Sequence, residues 1–112
     1  MRLTSRTRNG ISILEPDGKL LIGIGDAVLR DAVEAELAAG RSRLILDLQK
    51  VTRIDSSGMA ELVAAFSKVK DAGGVLKLLR LPPRVQSILG VTQLMSVFDV
   101  FEDEEEAVAS FD

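Results

Sequence analysis

Apolar residues recur in this chain at two different spacings, and the switches between them predict its elements. Met1 to Arg8 alternates weakly, as an edge strand does. Ile11 and Ile13 then share a face, Pro16-Asp17-Gly18 supplies turn residues, and apolar positions resume at Leu20 and Ile22, so a hairpin or a bent strand is expected. From Asp26 the spacing becomes helical. Leu29, Ala32, Val33 and Leu37 fall on one stripe, with Asp26 as the expected cap and Gly40 as the stop. Leu44, Ile45, Leu46 and Leu48 form a nearly continuous apolar run, the pattern of a strand covered on both faces.

A second helix is predicted to begin near Gly58. It carries Met59, Leu62, Val63, Phe66 and Val69 on one stripe and stops at Gly73-Gly74. Val75 to Leu81 reads as another covered strand, and Pro82-Pro83 opens a short helix with Val85, Ile88 and Leu89. A short strand is expected within Met95 to Phe101, followed by a final helix whose acids stand at its positive end. Strands separated by single helices predict an α/β fold. Its mixed central sheet has about four to five strands, the inner ones parallel and joined by right-handed crossovers, with about four helices packed on it. Periodicity leaves open whether those helices lie on one face or on both.

The 112 residues suit one domain spanning 1–112, and 46% hydrophobic content supplies a core without staples. There is no cysteine and no histidine, which removes thiolate chemistry, cysteine-ligated zinc and the commonest general base. Net charge is −3, with Arg2, Arg6 and Arg8 gathered at the start and an acidic run from Glu102 to Glu106 near the end; both read as solvated surface. With no tryptophan or tyrosine and no basic stripe interleaved with aromatics, nucleic-acid binding is not expected. No apolar stretch approaches the ~20 residues of a membrane span. The polar start lacks the pattern of a signal peptide, so a cytoplasmic protein is expected.

The chemistry concentrates in Asp55-Ser56-Ser57-Gly58, between an apolar segment ending at Ile54 and the second helix. Three readings stand side by side. Aspartate and serine oxygens accept hydrogen bonds from free N–H groups at helix starts, which makes the segment a cap. No capping box completes it, because Glu61 lies three residues from Gly58 and four from Ser57; one hydroxyl is left free. A serine nucleophile fits poorly: the glycine-flanked elbow is missing, no histidine exists, and Lys68 and Lys70 lie about three turns along the same helix. The third reading is a phosphate acceptor. A helix amino end tolerates the added charge of about −1.5 to −2, whereas a partner docked there does not.

From Leu44 onward, "LILDLQKVTRIDSSGMAELVAAFSKVKDAGGVLKLL", the Gly73-Gly74 pair and the tail "ILGVTQLMSVF" together resemble the STAS domain of anti-sigma factor antagonists, with similarity from about Gly10. The resemblance implies a single STAS-like domain with its core within about 10–110, and a regulator, not an enzyme. Family members in their unphosphorylated form bind an anti-sigma factor that is a serine kinase of ATPase fold, freeing a sigma factor. That kinase, using ATP and magnesium, phosphorylates the first serine of the motif and breaks the complex, and a phosphatase restores it. Carried onto this chain, the acceptor is Ser56, with Ser57 as second choice and possible cap. Asp55 shapes the turn, Gly58 allows close approach, Leu62 is core, and Met59 is expected to be partly exposed where the partner docks. No cofactor is implied for the chain itself.

The family often carries two acids in a Gly-Glu-x-Asp stretch near the acceptor, where this chain has Gly18-Lys19-Leu20-Leu21; Asp26 in the following loop is the expected substitute. Two other readings remain. One is a STAS-type accessory or scaffold module of a signalling assembly or membrane transporter. The other is a nucleotide-binding STAS module, although "GIGDAVL" has Val28 where a dinucleotide loop has its third glycine.

Overall fold

The computed structural model describes residues 1–91, 93 and 96–111. Along the chain these are β1 (Arg2–Arg8), β2 (Ile11–Leu20), α1 (Asp26–Ala38), β3 (Arg43–Asp47), β4 (Val51–Ile54), α2 (Ser56–Asp71), β5 (Val75–Leu79), α3 (Pro83–Val91), β6 (Val100–Phe101) and α4 (Glu104–Ala109). They build a six-stranded sheet in the order β1-β2-β3-β5-β6, with β4 paired to the far end of β2. The β1–β2 pair is antiparallel, and β2–β3, β2–β4, β3–β5 and β5–β6 are parallel. This is the expected mixed α/β sheet, with one strand more than the upper expectation.

The hairpin lies earlier than the proline and glycine suggest. Asn9 and Gly10 both have left-handed backbone, φ 53° and 78°, and form the mirror-image turn whose twist suits two antiparallel strands. β2 then runs unbroken through Pro16-Asp17-Gly18. On its other side it pairs with β3 over Ser12–Leu14 and with β4 over Gly18–Leu20, so Pro16 falls in the gap between two partners, where a strand tolerates a proline. The extra strand, β4, has exposed Thr52 and Arg53 between Val51 and Ile54. Its pattern is too short and too polar to read as a strand unaided. Of the segment expected to hold a short strand, Met95 lies outside the described residues; β6 is Val100–Phe101.

Strand alternation divides the core in two. Leu14, Leu44, Leu46, Leu76 and Leu78 face Leu29 and Val33 of α1, Met59, Leu62 and Val69 of α2, and Val85 and Leu89 of α3. Ile11, Ile13, Ile45 and Leu79 face Ala107 and Val108 of α4. Among the described residues, helices therefore cover both faces, α1, α2 and α3 on one and the short α4 on the other.

The charged termini are not independent solvated surfaces. β1 pairs in register with β2, so Arg6 and Arg8 stand opposite Ile13 and Ile11, on the face that α4 covers. Glu104 bonds Arg6, takes Arg8 at 2.8 Å and meets Arg80 at 3.3 Å, while Glu105 lies 3.6 Å from Arg8. The basic start and the acidic end hold each other, fastening a helix of six residues that is too short to persist alone. Beneath them Asp47 is fully buried, 3.4 Å from Arg80, and desolvation raises its carboxyl above the ordinary aspartate value.

Candidate functional site

The chain leaves β4 at Ile54 and enters α2 at Ser56, and Asp55 makes the junction. Its backbone is extended (φ −119°, ψ −175°), and its side chain accepts the Gly58 N–H at 2.8 Å. Asp55 is thus the cap, and the helix starts two residues earlier than Gly58. The expectation that Ser57 caps is corrected, because an aspartate one step upstream already takes the amide a serine cap would seek. Ser56, the first helical residue, is exposed and its hydroxyl bonds no described residue, while Ser57 beside it is half-buried.

The other oxygen of Asp55 reaches across to the β2–α1 loop and accepts the Ile22 N–H at 3.0 Å. That loop is a tight turn: Leu21 N–H donates to Ile24 O at 2.8 Å, and Ile24 N–H returns to Leu21 O at 2.9 Å. Gly23 at its tip and Gly25 at its exit have φ of 69° and 86°. The turn lifts Ile22 and Ile24 off the surface, 73% and 48% exposed, with Val28 of α1 at 39% behind them. Among the described residues, half of the large hydrophobics left exposed stand here, next to the serines. Sequence reading missed them because Ile22 continues the apolar alternation of β2, and only the turn reverses its direction.

Two backbone N–H bonds stabilise the charged form of Asp55, Gly58 first and Ile22 second, and hold its carboxyl below the ordinary value of 3.8. A depressed folded value contributes stability above 3.8 that is lost as pH falls through the folded value. The gap in urea midpoint between the parent and Asp55→Ala is therefore expected to be constant near neutrality and to narrow in acid. A gap indifferent to pH would contradict this role.

Gly58 is buried, and a Cβ there would lie 2.2 Å from Leu20 O and 2.8 Å from an Ile54 side-chain carbon. Close approach, not backbone freedom, is what requires glycine, since the first turn of α2 rests directly on β2 and β4. Gly58→Ala should lower the unfolding free energy by about 1–3 kcal/mol, measured by denaturant titration, through overpacking. Met59 is 2% exposed within the larger core. The expectation of a part-exposed thioether is corrected: its place on the helix turns it toward the sheet.

Asp26 does not cap α1 through its side chain, because left-handed Gly25 is the capping residue. Its carboxylate accepts Gly23 N–H at 3.3 Å and Ala27 N–H at 2.9 Å and lies 3.9 Å from Arg30, which grips Glu61 of α2 through contacts of 3.2 and 3.3 Å. Asp26 braces the loop and, through Arg30, the two helices; its partners among the described residues do not include the serines. With Asp26 filling the loop's amides, an anionic ligand meets a carboxylate already in place. Among the described residues no cluster of acids suits a metal ion, and no helix is long and apolar enough to cross a membrane.

The STAS domain model matches residues 2–107. BtrV of Bordetella bronchiseptica, named as a candidate anti-sigma factor antagonist, is 30% identical over 102 residues, covering 85% of this chain and 88% of that protein. The anti-sigma-B factor antagonist of Bacillus subtilis is 33% identical over 81 residues, covering 72% of this chain and 73% of its own. A solved candidate antagonist from Thermotoga maritima superposes with a TM-score of 0.87 over 96% of this chain and 92% of its own, at 23% identity, a likeness of fold. The matched span takes in both core layers, the Asp55 junction and the loop it holds: the chain belongs to the STAS domain family.

Proposed function

We propose that this protein is an anti-sigma factor antagonist whose unphosphorylated form binds an anti-sigma factor of the serine-kinase type, and that phosphorylation of Ser56 switches binding off. The observation that carries this reading is a free, exposed hydroxyl at the first residue of α2, beside a raised apolar turn fastened to the same aspartate. Asp55 performs the capping, so Ser56 has no bond to a described residue to give up on modification. The names of the Bordetella and Bacillus relatives support the partner class.

Phosphate at Ser56 adds about −1.5 to −2 charges where the helix end tolerates them and a docked partner does not. Ile22, Ile24 and Val28 supply apolar contact; Ser56 supplies the switch; Asp55 and Asp26 keep the two in register. Catalysis belongs to the kinase, which brings ATP and magnesium, and to a phosphatase that resets the hydroxyl; the cytoplasm is where these meet.

The test is to incubate the protein with each purified anti-sigma kinase of its host, with ATP and magnesium, and to locate phosphate by mass spectrometry. Modification of Ser56 with loss of the complex supports the reading. Modification confined to Ser57, or a complex that survives phosphorylation, contradicts it.

A further inference from the structure

We infer that the partner's docking face is acidic, because this protein places, along the strand that leads into its switch, cations that form no ion pair with a described residue. The inference rests on the docking reading above and adds the chemistry of the partner. Lys19 of β2 and Arg53 of β4 are exposed register partners on adjacent parallel strands. They are adjacent only because the register shifts: Gly18 pairs with Val51 and Lys19 with Arg53, so Thr52 is an extra residue that β4 accommodates as a bulge. Without it Lys19 would face a threonine. The carbonyl of that same Thr52 receives the Arg84 guanidinium, 3.4 Å away, from the start of α3.

Three cations thus stand along β4, the strand that leads into Asp55 and Ser56. None forms an ion pair with a described residue, although Arg6, Arg8, Arg30, Arg41, Lys50 and Lys68 all do. Like charges side by side on neighbouring strands lower stability, so the pairing of Lys19 with Arg53 does not favour the fold. Its use lies outside the molecule, and a carboxylate-bearing face is what it fits.

Two other polyanions fit worse. A nucleic acid strand would want aromatic platforms beside the cations. The four phenylalanines lie elsewhere: Phe66 packs on Phe98, and Phe101 and Phe111 lie beneath Lys77. An anionic membrane attracts each basic residue by only about 1 kcal/mol, and the chain as a whole carries −3. An acidic protein face also accounts for the direction of the switch. Phosphate on Ser56 would set a dianion opposite carboxylates that Lys19 and Arg53 had attracted, and repulsion would replace attraction at the same spot.

The experiment measures association of the host's purified anti-sigma kinases with the parent, with Lys19→Glu, with Lys19→Gln/Arg53→Gln, and with Ser56→Asp, at low and high salt. The parent's association rate should fall steeply with salt. The neutralised double variant should associate roughly tenfold more slowly, with its salt dependence flattened. Lys19→Glu places opposite charges side by side on the two strands, so its melting temperature should hold or rise while its association slows, which separates docking from folding.

A neutralised variant that binds as the parent does, while Ser56→Asp loses binding, overturns the acidic face and leaves the switch standing. A parent that binds none of the kinases overturns both. Heparin or phosphatidylserine vesicles retained by the parent but not by the neutralised variant, with kinase association unaltered, identify a different polyanion and overturn the inference as well.

Discussion

Ser56→Asp is expected to bind the partner kinase roughly 30- to 1,000-fold more weakly than the parent, while Ser56→Ala binds as the parent does. The magnitude corresponds to about 2–4 kcal/mol, the loss of a single hot spot. Alanine removes the acceptor without placing charge in the interface, and no described residue depends on that hydroxyl. Aspartate supplies a permanent anion beside the Asp55 carboxylate, at a helix end that accepts negative charge, so the fold should be unaffected. Calorimetric titration of both variants with the kinase decides the matter, with melting temperature as the control. Equal affinity for the two would end the switch mechanism.

Ile22→Ser/Ile24→Ser should abolish most of the same affinity and cost the protein almost nothing. Substitutions at exposed sites usually change stability by no more than about 0.5 kcal/mol, and these side chains are 73% and 48% exposed. Buried in a partner they would act as anchors, together worth about 2–4 kcal/mol, or roughly 30-fold and more. The backbone turn should survive, since its bonds are between Leu21 and Ile24 main-chain atoms and from Ile22 N–H to Asp55. The outcome that refutes the assignment is unchanged kinase binding in a variant that melts as the parent does. It would mean that the turn faces solvent in the complex as well.

The features that were legible in sequence are those encoded by local repetition. β3 holds a continuous apolar run and β5 one broken only by Lys77, because both faces of the sheet are covered, and α2 is visible from a stripe that Met59, Leu62 and Val69 do bury. The strand-to-helix junction that carries Ser56 was legible from Asp-Ser-Ser-Gly between an apolar segment and a helical stripe. What failed depended on distance along the chain. Pro16 resembles a turn until β3 and β4 are known to flank it on either side. Arg6 and Glu104 are 98 residues apart and resemble solvent-facing charge until the sheet brings them together. Ser57 could pass for a cap because local rules allow serine or aspartate there, and the choice fell to Asp55, whose second oxygen also serves Ile22. Lys19 and Arg53 became neighbours only through the shifted register.

That one side chain spans two segments 33 residues apart has a kinetic corollary. Loop tip and helix start are braced before anything arrives, so a partner docking there would meet a finished shape on this side, with little ordering left to this chain at the encounter. The modified and unmodified forms would then differ in how long a complex lasts and how often collisions succeed, while the backbone beneath them keeps one geometry.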